Sequence, residues 1–150
     1  MLKILALIAL LPLAGGLTIA RAQTAAPDLA AIAAAEKGAA VSPSGLVYRS
    51  LKEGKGPNPT AADVVTVNYR GVLADGKEFD SSYKRGQPAS FPLGRVIPCW
   101  TEGVQRMKVG GKAKLTCPPD IAYGSRGAGG MIPPNATLQF EVELLGIVAR

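Results

Sequence analysis

Leu138, Phe140, Val142 and Leu144 alternate with Gln139, Glu141 and Glu143 near the end of this 150-residue chain. A period of two puts the apolar set on one side of a strand and the polar set on the other. The same alternation occurs between Asp63 and Leu73, where Val65, Val67, Tyr69 and Leu73 oppose Thr66, Asn68 and Arg70. Asp75-Gly76 is a hairpin turn signal, and Glu78-Phe79-Asp80-Ser81 returns from it. Leu46–Lys52 and Lys112–Cys117 read as further strands, and Trp100, Val104 and Met107 recur at the spacing of a short helix that Gly110-Gly111 ends. A sheet with one wet face needs cover on the other. The expectation is therefore an α+β fold, a twisted antiparallel β-sheet of four or five strands wrapped around one short α-helix. Two irregular stretches remain, Ser82–Pro98 and Pro118–Pro134. Loops beyond ~12–15 residues are usually functional, and the helix lies between these two.

The first 22 residues do not belong to that fold. Lys3 is followed by the apolar run Ile4–Leu13, then Gly15-Gly16, and Ala20-Arg21-Ala22 carries small residues where a signal peptidase needs them. This predicts a signal peptide over residues 1–22, cut before Gln23. Pro12 and the glycine pair break the run, which argues against an uncleaved anchor. No later segment is apolar and long enough to span a bilayer, so no membrane span is expected after cleavage. Residues 23–43 read as a flexible, Ala-rich lead-in, too short to hold a helix alone, and the folded domain is placed at 44–150. The chain is thus expected to be secreted across an inner membrane into the periplasm.

Composition closes several routes. The chain has no histidine, which removes His-based acid/base catalysis, Ser-His-Asp triads and most zinc sites. Neither a metal nor a cofactor is expected. Without residues 1–22 and their Lys3 and Arg21, the formal net charge falls from +6 to +4. The remaining basic residues are scattered, not gathered into a stripe with interleaved aromatics, so no nucleic-acid partner is expected. The Gly124–Gly130 stretch runs into Pro133-Pro134 and opens no helix, unlike a dinucleotide fingerprint. Ser81 and Lys84 have S-x-x-K spacing without the partner motifs of penicillin-recognising enzymes. Cys99 and Cys117 are a pair that an oxidising compartment would bridge; two buried reduced thiols are the other reading.

From Val65 onward the chain resembles the FKBP family of peptidyl-prolyl isomerases. The resemblance is carried by Val65-Thr-Val-Asn-Tyr-Arg-Gly71, Asp75-Gly-Lys-Glu-Phe-Asp-Ser-Ser82, Arg85-Gly-Gln-Pro88, Phe91-Pro-Leu-Gly94, Val96-Ile97, Trp100-Thr-Glu-Gly-Val104, Ala122-Tyr-Gly124, Ile132-Pro-Pro-Asn-Ala-Thr-Leu138 and Phe140-Glu-Val-Glu-Leu-Leu145. The segment Val96–Gly103 and the leader look closest to bacterial envelope members, the macrophage infectivity potentiator group. The resemblance implies catalytic residues at Tyr69, Phe79, Asp80, Ile97, Trp100, Tyr123 and Phe140, and substrate-binding residues at Phe91, Val96, Met131 and Ile132. It implies proline-containing polypeptides as partners and macrolide immunosuppressants as inhibitors. Ala89 and Ala128 depart from the family by loosening the pocket rim. Cys99 and Cys117 stand where glycine and isoleucine are usual, which makes a bridge between them attractive. The group's long dimerising helix has no counterpart here.

Those residues suit the chemistry. An X-Pro bond rotates over a barrier of ~18–20 kcal/mol because twisting gives up amide resonance. The planar amide is the more charge-separated form, so a dry apolar cup favours the twisted one, a differential and hence catalytic effect. Phe79, Val96, Ile97, Trp100 and Phe140 would form that cup, with the indole as its floor. Tyr123 and the Ile97 N–H would orient the peptide. Asp80 has two readings, one beside Tyr69 or the twisting carbonyl and one as a turn cap. Phe140 and Trp100, on their own patterns alone, would read as core. The expected activity is acceleration of X-Pro rotation in folding envelope proteins; the alternative is a non-catalytic peptide-binding or chaperone module using the same groove.

Overall fold

Strand β3 (Val64–Val72) is the axis of the sheet, because its alternate residues Val65, Val67 and Tyr69 are buried while Arg70 faces water. The computed structural model describes residues 28–148, so the expected signal segment 1–22 lies outside the described residues. One side of β3 pairs antiparallel with β7 (Leu138–Val148) along its whole length, from Val64↔Val148 to Val72↔Gln139. Its other side is shared. β5 (Ala89–Pro92) pairs with Val64–Val67, and β4 (Glu78–Ser81) pairs with Arg70–Val72. Beyond β7 come β6 (Lys112–Cys117), β2 (Val47–Lys52) and β1 (Ala39–Val41), all antiparallel.

The helix α3 (Pro98–Gln105) starts with proline at its first turn, where the missing N–H has no intrahelical partner to lose. It lays Cys99, Trp100 and Val104 against the apolar face of the sheet, with Leu115, Leu138, Val142 and Leu144 fully buried beneath. Met107 is buried as expected, yet it lies beyond the helix, which stops at Gln105 well before Gly110. A disulfide ties Cys99 at the start of α3 to Cys117 at the end of β6, with the two Cα atoms 5.8 Å apart. The bridge, not the pair of reduced thiols, is thus the state of these cysteines.

Two expectations need correction. The sheet has seven strands, more than the four or five read from alternation. The additional ones are short: β1 is three residues, two of them alanines, and β5 sits inside the stretch read as irregular, next to the one-turn helix α2 (Ser82–Arg85). Of residues 23–43, read as a flexible lead-in, the described part from 28 onward contains α1 (Leu29–Ala34) and β1 instead. Asp28 caps α1 through its side chain, Ala33 is buried, and Glu36 reaches both Arg49 on β2 and Lys114 on β6 at 2.7 and 2.6 Å. Tertiary anchoring supplies what so brief a helix lacks by itself.

Candidate active site

The helix-covered face of the sheet opens at one end into a hollow of about 360 Å³. Trp100, on the first turn of α3, is its floor. Tyr69 from β3, Phe91 from β5 and Phe140 from β7 all meet the indole edge-to-face, with ring centroids 5.1, 5.7 and 5.4 Å away and planes at 86–89°. Perpendicular packing is the arrangement the ring quadrupoles favour, and it fixes the indole from three directions. Phe79 on β4 extends the wall by packing against Phe140 at 5.5 Å. Gly71 on β3 makes this wall feasible: a Cβ there would lie 2.5 Å from Phe79 Cζ and 2.9 Å from Phe140 Cε1. The Trp100 indole nitrogen is buried with no hydrogen-bond partner among the described residues, so the otherwise apolar floor keeps one unsatisfied donor.

Val96 and Ile97 complete the lining from the turn before α3, and Tyr123 from the turns after β6. The Ile97 carbonyl accepts from Trp100 N–H and Thr101 N–H at 2.9 and 3.2 Å, whereas its own N–H donates to no backbone carbonyl among the described residues. Tyr123 is 41% exposed and belongs to the rim.

One edge is polar. The Tyr69 hydroxyl donates to Asp80 Oδ2 at 2.5 Å, and Arg85 at the end of α2 donates to Asp80 Oδ1 at 2.6 Å and to the Tyr69 oxygen at 2.8 Å. Burial pushes the Asp80 carboxyl up, but hydrogen bonds from Tyr69 and Arg85 outweigh it and hold the group below its ordinary value. Burial, together with the neighbouring carboxylate, pushes the Tyr69 hydroxyl up. At neutral pH the edge is therefore carboxylate, phenol and guanidinium. Buried Ser82 accepts the Tyr69 backbone N–H at 2.9 Å and so anchors the strand behind the phenol.

All seven residues read as catalytic line this hollow, as do Phe91 and Val96. Met131 and Ile132 do not. Met131 is 47% exposed, and Ile132 packs into the core while its backbone bridges Ala128. Sequence reasoning missed Arg85 and Arg95. Arg85 follows Asp80 by five residues, and a single helical turn brings it back; only knowledge of α2 would have revealed that.

A family profile described as FKBP-type peptidyl-prolyl cis-trans isomerase matches residues 56–145. The chain belongs to this family. FkpA of Escherichia coli K12, named an FKBP-type peptidyl-prolyl cis-trans isomerase, is 57% identical over 114 residues, covering 76% of this chain and 42% of that protein. FK506-binding protein 1 of Dictyostelium discoideum is 57% identical over 103 residues, 67% of this chain and 96% of its own length. The peptidyl-prolyl cis-trans isomerase Mip of Coxiella burnetii is 52% identical over 69% of this chain and 45% of its own. The crystal structure of E. coli FkpA superposes with a TM-score of 0.77 at 54% identity, covering 79% of this chain and 55% of that one. The chain thus spans less than half the length of the FkpA proteins it matches, and the FKBP fold expected from the sequence is the fold it has.

Proposed function

We propose that this chain accelerates cis-trans rotation about X-Pro bonds in proteins folding outside the cytoplasm. The observation that carries the reading is the Trp100 floor, held by three perpendicular rings beneath a hollow large enough for a pyrrolidine ring and its neighbours. The proline ring would lie on the indole. The amide preceding it would then sit among apolar side chains, where the less polar twisted state is stabilised over the planar one. The Ile97 N–H and the Tyr123 hydroxyl flank the hollow as donors that can hold peptide carbonyls on either side of the rotating bond. The two oxygens of Asp80 are engaged by Tyr69, Arg85 and the Ser81 N–H. Its role is accordingly to set the position and protonation of Tyr69. Macrolide immunosuppressants would compete for the same hollow.

Residues 1–22 serve in this reading as an export signal, and the folded unit begins earlier than residue 44, at the capped start of α1. The Cys99–Cys117 bridge supports a periplasmic destination, since such bonds persist in oxidising compartments. Among the described residues no helix is long and apolar enough to cross a membrane.

The test is isomerisation of a Leu-Pro or Phe-Pro tetrapeptide, followed by a protease-coupled assay with and without a macrolide. Acceleration that the macrolide abolishes is the expected result. Peptide binding without acceleration would replace the isomerase reading by that of a peptide-holding module, and absence of both would remove the site.

A further inference from the structure

Arg95 also lines the hollow, and its setting differs from that of the other cation at the rim. Arg85 is neutralised by Asp80. Arg95 is exposed, and no carboxylate among the described residues lies within ion-pairing distance of it. Asp63, on the neighbouring segment, is occupied in accepting from the Thr60 N–H and hydroxyl. Asp80 thus balances one of the two rim arginines and leaves the other uncompensated.

The backbone presenting Arg95 is fixed. It ends a short 3₁₀ turn, Leu93–Arg95, whose Leu93 is fully buried. The Leu93 N–H donates to the Asp63 carbonyl at 2.9 Å, and the Leu93 carbonyl accepts the Thr101 hydroxyl of α3 at 2.7 Å. Gly94 lies so close to the Ala61 carbonyl that a Cβ would come within 2.9 Å of its oxygen. With the turn already ordered, meeting a partner costs the freedom of the Arg95 side chain alone and none of the backbone.

We propose that Arg95 makes this site selective for proline segments carrying an acidic side chain next to, or two residues from, the proline. This rests on the proline-binding reading of the hollow. The geometry pairs an apolar docking surface with one unmatched positive charge at its lip, so an aspartate or glutamate flanking the proline would be attracted and a lysine repelled. The contact is solvent-exposed and screened by salt.

The experiment compares Leu-Pro-containing peptides with Glu, Gln or Lys placed in turn at each of the two positions on either side of the dipeptide. Isomerisation is followed by NMR exchange so that no protease preference intrudes. Binding is followed in parallel by the fluorescence of Trp100, the chain's single tryptophan. At low salt the Glu peptide should exceed the Lys peptide about fivefold in kcat/KM at one position or more, as expected of an exposed charge contact. Arg95→Gln should level the two, and Arg95→Glu should reverse them. Absence of a charge preference at every position, or its survival in Arg95→Gln, overturns the proposal. Should no peptide be isomerised, the isomerase reading falls by itself, and the Glu-over-Lys order in the binding titration decides the role of Arg95.

Discussion

The floor and the polar edge line the same hollow, yet they are attached to the fold in different ways. Trp100, Phe140 and Tyr69 are each 4% exposed and belong to the same buried cluster as the sheet's aliphatic core. Asp80, Arg85 and Arg95 are exposed or partly so; the side chains of Asp80 and Arg85 bond each other and the Tyr69 hydroxyl, the one polar tip of the buried cluster, and have no role in pairing strands. The floor is therefore made of residues the fold needs in any case, and the proposed catalysis requires only that the core be left open at one end. The edge can vary without disturbing the sheet. The proposed isomerisation then rests mainly on the first, and the proposed charge preference on the second.

Trp100→Ala is the severest test of that division. Removing the indole takes away three edge-to-face contacts at once, and large-to-small changes of buried aromatics cost about 3–5 kcal/mol. Urea denaturation should show that loss, and isomerase turnover should vanish with it; a variant that loses activity alone would break the equation of floor with core. Second in size is the bridge. Replacing Cys99 and Cys117 together by alanine frees α3 from β6 and should lower stability by about 3 kcal/mol, the chain-entropy value for a loop of this length. Turnover measured well below the unfolding midpoint should change far less, because the three rings still hold the indole. A large drop there would show that the disulfide, too, positions the floor.

How far the sequence foretold these regions follows the same division. β3 and β7 were legible because one face of each is buried and the other wet, so their period of two survives in the residue string. α3 was legible from Trp100 and Val104. β5 was not, since Ala89 and Ser90 carry little strand signal and only its pairing with β3 defines it. α1 was misread because its alanines give no amphipathic pattern; the Glu36 contacts that secure it come from residues far along the chain. In the site, apolar lining residues were recognised through resemblance, which also named Met131 and Ile132, two residues not among those lining the hollow. Arg95 had no periodicity or motif to mark it. A charge at a rim acquires meaning only when its neighbours in space are known.

Asp80→Asn sharpens the edge side. The variant keeps the shape of the side chain but weakens both charge-assisted bonds, so kcat/KM should fall about tenfold, the equivalent of ~1.4 kcal/mol, while the denaturation midpoint moves little. The pH profile of the parent follows from the same bonds. Because the Asp80 carboxyl is lowered and the Tyr69 hydroxyl raised, and no histidine is present, activity should be flat across neutral pH. It should decline only on acidification below the ordinary aspartate value of 3.8. A step near neutral pH would mean that another group titrates in the site.

The smallest effect is expected far from the hollow, at Glu36. Its hydrogen bond from Lys114 lowers its carboxyl below the ordinary value, against burial, with Arg49 adding to the fall. A carboxylate whose folded-state value is depressed contributes stability above its unfolded value and loses it as pH falls through the folded one. Glu36→Gln should thus destabilise by no more than about 1 kcal/mol at neutral pH, since the pairs are near the surface. The difference from the parent should shrink on acidification below 4.5. Turnover should be unchanged, because α1 and β1 touch none of the rings around Trp100. If Glu36→Gln instead slowed isomerisation in a fully folded protein, the N-terminal helix would be coupled to the hollow through β2 and β6, and the separation between scaffold and site drawn from the floor and the edge would not extend across the sheet.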